Sequence, residues 1–192
     1  YCAVTGEIAV SQKPVNLVLD ATFFHRREGV LVARGNGSNL LWKEIETESI
    51  AVYDALLDDL IVAGFQFLSC TIDGRRGVLR LLERKFPYLP VQLCQFHQVQ
   101  IVTRYLSKRP KLSAGIELRN LTLTLSKTER KTFTEKLQEW HEKWSAFLKE
   151  KTMNSDSKRW SYTHRRIRSA YRSLNTHLPW LFTYQDFPEL HI

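Results

Sequence analysis

Three apolar runs of strand length constrain the fold of this chain more than any other feature. They are residues 15–24 (VNLVLDATFF), 65–72 (FQFLSCTI) and 91–96 (VQLCQF). Each is rich in the β-branched and aromatic residues that buried strands favour. Because strands joined through a helical crossover pair in parallel, the runs that are joined through helices predict parallel strands within one mixed sheet.

Two further strands and two helices complete the predicted first half. Residues 29–34 and 40–45 flank Gly35-Asn36-Gly37, a turn sequence typical of a hairpin. Residues 48–63 have apolar side chains at helical spacing and end at Gly64, and residues 77–86 form a second, shorter helix. The order β-β-β-α-β-α-β predicts an α/β fold with a mixed five-stranded sheet and flanking helices.

After residue 97 the pattern predicts helices only. They span residues 98–106, 127–152 and 158–178, so the fifth strand is followed by a large all-helical insertion. The apolar stripe of the longest helix contains two tryptophans, and its regular spacing indicates core packing rather than base stacking. The stripe consists of Phe133, Leu137, Trp140, Trp144 and Leu148.

Composition narrows the class of protein. The chain has 192 residues, of which 43% are hydrophobic, and this excludes a disordered chain, a collagen or a small disulfide-stapled scaffold. Cys2, Cys70 and Cys94 form no CxxC pair, which favours a reducing, cytoplasmic environment. No secretory signal or membrane span is evident. Because the chain starts at Tyr1 rather than Met, we expect a fragment or a processed product.

The net charge of +8 is distributed unevenly. Residues 1–97 hold 10 Lys and Arg against 11 Asp and Glu, whereas residues 98–192 hold 18 against 9, giving net charges of −1 and +9. Such asymmetry predicts a nucleic-acid partner for the basic half. On its last helix, Arg165, Arg168 and Arg172 share the face opposite the apolar residues. They form either a solvated helix surface or a stripe that follows phosphates.

Two aspartates stand out by position. Asp20 follows the apolar residues VNLVL, and Asp73 follows FLSCTI. If their strands are parallel neighbours, the two carboxylates lie close together and repel unless a divalent cation lies between them. Hard oxygen ligands suit Mg²⁺ or Mn²⁺. Alternatively, Asp73-Gly74 is a turn dipeptide, or Asp73 caps the helix that follows.

Cys94 and His97 form a CxxH pair at the predicted end of the fifth strand. A single CxxH supplies too few ligands for a structural zinc site, which requires four. Taken alone, the pair indicates a buried thiol and a histidine that caps a helix.

Together, LVLDATFF, the hairpin and helix, CTIDGRRGVLRLL and VQLCQFHQVQIVTRYL resemble the catalytic core of Mutator-like DDE transposases, including the related bacterial insertion-sequence transposases. The resemblance covers residues 15–105 by motif and extends to about residue 178 by layout alone. It implies an RNase H-like fold, phosphodiester chemistry that depends on Mg²⁺ or Mn²⁺, and double-stranded DNA (transposon ends and target) as substrate. It also implies a homo-oligomer in the active complex and a nucleoid-associated location.

By this resemblance, Asp20 matches the first catalytic acid and Asp73 the second. Cys94 and His97 match a C/DxxH motif that positions the site or contacts DNA, and residues 127–178 match a helical insertion that grips DNA. The implied organisation is a catalytic core over residues 1–105, a basic helical insertion over 106–180, and a return to the core over 181–192.

This chain departs from the family pattern at the third catalytic acid. Only Asp186 and Glu189 follow the insertion, in a Pro-containing segment expected to be non-helical. We therefore expect the third acid beyond Ile192, and a chain that binds metal weakly and does not catalyse by itself. The alternatives are another RNase H-like nuclease, such as a resolvase or a ribonuclease, a domesticated non-catalytic DNA-binding protein of the same fold, and an RNA-binding protein with incidental aspartates.

Overall fold

The computed structural model describes residues 14–153, 155 and 157–192, and it divides the chain into two compact units. The first unit comprises the described residues up to Cys94 together with Asp186–Ile192, and the second comprises Gln95–Gln185. The first boundary thus falls at residue 94 rather than at 105. The reason is that the helix after Cys94 packs against the last long helix, which belongs to the second unit.

The first unit contains a mixed five-stranded sheet in the order β3-β2-β1-β4-β5. The first three strands are antiparallel neighbours, whereas β1 pairs in parallel with β4 and β4 with β5. The predicted mixed sheet with helical crossovers is therefore confirmed. The strands are β1 Pro14–His25, β2 Glu28–Gly35, β3 Ser38–Ile45, β4 Gln66–Ile72 and β5 Val91–Leu93.

Local sequence explains the turns and helices of this unit. Asn36 and Gly37 have positive φ angles of 52° and 79°, as a two-residue hairpin turn requires. Helix α1 (Ile50–Val62) begins after Ser49, whose hydroxyl accepts a hydrogen bond from the Val52 backbone N–H. Helix α2 (Arg76–Lys85) follows β4, as predicted.

One face of the sheet packs against α1 and α2. Alternate residues of β1 are buried, which places them on the core face. Helix α1 contributes Tyr53 and three leucines to the same core, and α2 contributes Val78 and Leu82. The opposite set of β1 side chains includes Asn16 and Asp20 and faces away from this core.

The second unit is mainly helical. Four residues of the predicted α5 stripe are buried, among them Trp140, whose Nε1–H donates to the Ala114 carbonyl oxygen at 3.0 Å. Trp144 is only half-buried, and its Nε1–H donates to the Glu117 carboxylate at 2.8 Å. No described helix is both long enough and apolar enough to cross a membrane. The helices are α3 Gln95–Leu106, α4 Ser113–Thr122, α5 Arg130–Lys149, α6 Arg165–Leu181 and α7 Thr183–Asp186, with 3-10 turns at Leu125–Lys127 and Pro188–Leu190, the latter in the first unit.

Three predictions about elements are wrong. The second unit is not all-helical, because β6 (Lys151–Met153) and β7 (Trp160–Tyr162) form an antiparallel hairpin. The alternating aromatic residues of β7 favour a strand, so α6 begins at Arg165 rather than at residue 158. Strand β5 ends at Leu93: the Cys94 N–H donates to the Ile72 carbonyl oxygen at 2.8 Å, and helix α3 starts at the next residue.

Candidate functional site

The two predicted acids lie near the same end of the parallel β1–β4 ladder. Leu17 lies opposite Cys70 and Val18 opposite Thr71, an offset of 53 residues. Asp73 lies one residue beyond the end of β4, so the parallel ladder stops two residues before Asp20 on one strand and two residues before Asp73 on the other. Asp20 belongs to the β1 side chains that face away from the α1 and α2 core, whereas Asp73 lies in the turn that follows β4. Asp20 is exposed and Asp73 is half-buried.

Asp20 does not end its strand. Strand β1 continues to His25, because residues beyond the parallel ladder still pair with β2, where Asp20 lies opposite Val32. What ends near Asp20 is the pairing with β4, whose last described pair is Val18 with Thr71. The carboxylate therefore emerges where the neighbouring parallel strand turns away.

The turn that follows Asp73 involves its own carboxylate. Asp73 Oδ1 accepts a hydrogen bond from the Arg75 backbone N–H at 3.2 Å, and the Asp73 carbonyl oxygen accepts from the same group at 2.8 Å. This arrangement is an Asx turn, in agreement with the turn interpretation of Asp73-Gly74. The residue at the N-cap of α2 is Arg75, so Asp73 does not cap that helix.

Three residues near Asp73 were not predicted from the sequence as part of the site: Glu48, Tyr53 and Arg75. The Tyr53 hydroxyl donates to Glu48 Oε1 at 2.6 Å, and the Arg75 guanidinium pairs with the Glu48 carboxylate and its backbone oxygen. Tyr53 is 2% exposed. Burial raises the pKa of its phenol, and so do the hydrogen bond to Glu48 and the negative charges of Glu48 and Asp73. Glu48 precedes the N-cap of α1 and is five residues from Tyr53, so helical periodicity links it to neither Tyr53 nor Arg75.

Asp20 and Asp73 form a donor set that suits a hard divalent cation. In proteins Mg²⁺ takes one or two carboxylates and keeps waters or substrate phosphates as its other ligands. Within the described ranges, no group of three or more His, Cys, Asp or Glu side chains is arranged to hold a metal ion. Metal binding by Asp20 and Asp73 stays a prediction of the sequence.

Among the described residues, neither Asp186 nor Glu189 forms a metal-binding group with Asp20 and Asp73. Asp186 and Glu189 are exposed. The segment that carries them is not irregular as expected: Asp186 ends α7, and Glu189 lies in a 3-10 turn beginning at Pro188, a residue suited to a first helical turn.

The same segment contacts β1 away from Asp20. Asn16 donates its side-chain N–H to the Leu190 carbonyl oxygen and accepts a hydrogen bond from the Ser69 hydroxyl at 2.9 Å. Asn16 precedes Asp20 by four residues, or about 13 Å along a strand. Leu190 is therefore held at a different position along the strand from the carboxylate pair.

Cys94 and His97 lie on either side of a helix start. Cys94 is half-buried and is the single residue between β5 and α3. His97 is in the first turn of α3 rather than at the end of a strand, and its ring lies edge-on to Phe96 at a centroid distance of 5.7 Å. Their role in positioning the site or contacting DNA stays a prediction.

The charge asymmetry is greater between the structural units than between the sequence halves. Residues 95–185 hold 18 Lys and Arg against 7 Asp and Glu, a net charge of +11, while the remainder holds 10 against 13, a net charge of −3. The acids of the candidate site thus belong to an acidic unit, and the excess positive charge belongs entirely to the second.

The three predicted arginines differ in their surroundings. Arg165 and Arg172 are exposed. Arg168 is half-buried, donates through Nη1 to the Leu148 carbonyl oxygen at 2.7 Å and stacks 3.6 Å above the Tyr162 ring. Its guanidinium therefore bonds the end of α5 and covers the hairpin, whereas its two neighbours lie at the surface.

No protein-family model matches this chain, and no curated protein matches it significantly. Its function is therefore inferred from the geometry of the site and the distribution of charge.

Proposed function

We propose that the protein carries the catalytic core of a DDE-type transposase of RNase H-like fold, which cleaves DNA phosphodiesters and transfers the freed strand. The observation that supports this proposal is that Asp20 and Asp73 each follow, by two residues, the last pair of the parallel β1–β4 ladder, Val18 with Thr71. The mixed sheet with helical crossovers and the basic second unit support it.

In this proposal Asp20 and Asp73 hold Mg²⁺ or Mn²⁺. When bound, the ions polarise the scissile phosphodiester and activate the attacking water or 3′-hydroxyl. Asp20 lies on the central strand of the sheet and is the more exposed, so we assign it as the ligand shared between two ions. Asp73 would bind one ion, in an orientation fixed by its Asx turn.

The residues around Asp73 would keep this site in place. Arg75 donates its backbone N–H to Asp73 and its guanidinium to Glu48, so one residue connects both carboxylates. Tyr53 holds the other side of Glu48 through its hydroxyl. These three residues are positioning residues for Asp73 in the proposal.

A second candidate function is a non-catalytic DNA-binding protein of the same fold. The net charge of +11 on the second unit favours it, because a basic unit binds the DNA backbone whether or not the aspartates work. It predicts duplex binding that is indifferent to Asp20 and to divalent ions.

Substitution of Asp20 tests the proposal directly. In a protein that carries this chain and cleaves DNA, Asp20→Asn should lower the cleavage rate by at least about a hundredfold, because it removes a metal ligand at constant shape. Binding to an uncleaved duplex should be unchanged. A DNA cleavage assay measures the rate, and fluorescence anisotropy with an uncleaved duplex measures the binding.

Glu83→Gln is the matched control, since it removes one exposed carboxylate from α2 of the same unit. Cleavage should survive this change. Retained cleavage by Asp20→Asn would contradict the assignment. If the wild type and both variants bind the duplex and none of them shows metal-dependent cleavage, the non-catalytic DNA-binding protein is favoured.

A further inference from the structure

An open groove of about 790 Å³ lies between α3 and α6 of the second unit. Three arginines line it together with polar and aromatic side chains, and no carboxylate of the described residues belongs to its lining. The residues that matter for its chemistry are Arg104, Arg165, Arg166, Tyr105, Ser173 and His177. The groove therefore concentrates positive charge within a unit that is already strongly basic.

Arg166 allows an anion to bind near the C-terminus of α3 by bonding its last carbonyl oxygens. A helix C-terminus presents unpaired carbonyl oxygens and a negative partial charge, which repel phosphate. Arg166 donates through Nε to the Tyr105 carbonyl oxygen at 2.8 Å and through Nη2 to that of Arg104 at 2.6 Å. These bonds offset the negative end of the helix at the place where the groove opens.

A buried glutamine fixes the polar side of the groove. Gln98 is 2% exposed, and its Nε2 donates to the Ser173 hydroxyl at 3.1 Å. Its Oε1 lies 2.7 Å from His177 Nδ1, and because an amide oxygen only accepts, the imidazole donates this bond. Two residues of the lining are thus held in place before any ligand arrives, which lowers the entropic cost of binding.

This groove differs from the arginine stripe that the sequence predicted. At 100° per residue, Arg166, Ser173 and His177 project from one side of α6, with Arg165 at its margin. Arg172 and Arg168 project roughly 120° and 160° from the centre of the groove, compared with roughly 100° for Arg165. Only Arg165 belongs to both surfaces.

We propose that the α3–α6 groove binds the phosphate backbone of double-stranded DNA, with Arg104 and Arg165 as its principal phosphate contacts. This inference rests on the proposed function, since it names the surface that would hold the DNA substrate. A duplex fits better than a single strand, because single-strand sites use several aromatic platforms and the groove contains one tyrosine. Arg166 stays bonded to α3 and contributes its charge.

The test uses the whole chain and a fluorescent 20-base-pair DNA duplex, with anisotropy measured over a range of NaCl concentrations. The variant Arg104→Gln with Arg165→Gln should bind about tenfold more weakly or worse at moderate salt. The slope of log K against log salt should become shallower by about 2, because two phosphate contacts are lost. Arg104→Gln alone should change the slope by about 1.

Two controls separate this groove from general charge. Arg80→Gln with Arg84→Gln removes the same charge from exposed positions of α2 and should leave the slope unchanged. Arg172→Gln tests the stripe and should have no more effect than that pair. Equal unfolding temperatures for all variants establish that binding, and not folding, is compared.

Three results would overturn the inference: an unchanged salt slope in the groove variants, an equal loss in the Arg80 and Arg84 control, or tighter binding of an RNA duplex of the same sequence. If the unaltered chain binds DNA but the groove variants bind equally well, only the groove assignment fails. The carboxylate site is judged separately by Mn²⁺ binding, which these arginine changes do not touch.

Discussion

At the scale of single residues, Glu48 is a carboxylate that could not be predicted from the sequence. The structure connects it to Asp73 through Arg75, which bonds both residues. Asp20 and Asp73 could be predicted because each follows an apolar run that becomes a strand. Glu48 precedes a helix and follows no apolar run, and its partner Arg75 is 27 residues away in the sequence. Long-range pairing of this kind depends on how α1 and α2 pack, which periodicity does not reveal.

Tyr53 provides a test of this buried network through pH. Because burial and Glu48 raise the pKa of the phenol above its ordinary 10.0, the native state keeps the proton longer than the unfolded state. The resulting stability is fully present below pH 10 and is lost as pH rises above it. Tyr53→Phe should therefore make the fall in unfolding free energy above pH 10 shallower, by up to about 1.4 kcal/mol per pH unit.

Urea unfolding between neutral and alkaline pH measures this difference. At neutral pH the same variant should lose about 1.5–3 kcal/mol, the usual contribution of a hydrogen bond to a charged group such as the Glu48 carboxylate. Tyr88→Phe is the control: its ring is 98% exposed, so folding hardly changes its surroundings. Parallel curves for the wild type and Tyr53→Phe above pH 10 would refute the account of Tyr53.

At the scale of elements, strands and helices with clear periodicity were predicted well and short elements were not. The hairpin of β2 and β3 follows from Asn36-Gly37, and the core face of α5 follows from its apolar spacing. Helix α4 and the β6–β7 hairpin were missed. Each hairpin strand has three exposed residues, too few for an alternating burial pattern.

Arg168 shows why a face calculated from helical spacing does not give the role of a side chain. Its guanidinium bonds the Leu148 carbonyl and stacks on Tyr162, contacts that join α6 to two other elements. Arg168→Lys keeps the charge but loses the stacked, planar group, so it should lower the unfolding free energy by roughly 1–2 kcal/mol. Urea denaturation measures this loss.

The exposed neighbour offers a matched comparison. Arg172→Lys should change stability by less than about 0.5 kcal/mol, as surface substitutions usually do. Both lysine variants should retain the salt slope for duplex binding, because neither removes a charge. Equal stabilities for Arg168→Lys and Arg172→Lys would contradict the structural role of Arg168.

At the scale of the whole molecule, charge and fold divide together. The split by sequence gave net charges of −1 and +9, whereas the structural units carry −3 and +11, because Asp186 and Glu189 group with the sheet. The sequence predicted the asymmetry, and the structure assigns α3 to the basic unit because this helix packs against α6. The acidic unit therefore holds the candidate metal ligands, and the basic unit holds the candidate DNA surface.

The most direct test of the carboxylate pair is Mn²⁺ binding to this chain, followed by electron paramagnetic resonance. The wild-type chain should bind Mn²⁺ weakly, and Asp20→Asn and Asp73→Asn should each remove that binding, because two carboxylates are the protein ligands of the site. Glu83→Gln should bind as the wild type does. If both aspartate variants bind Mn²⁺ as well as the wild type, Asp20 and Asp73 do not form a metal site and the proposed chemistry is wrong.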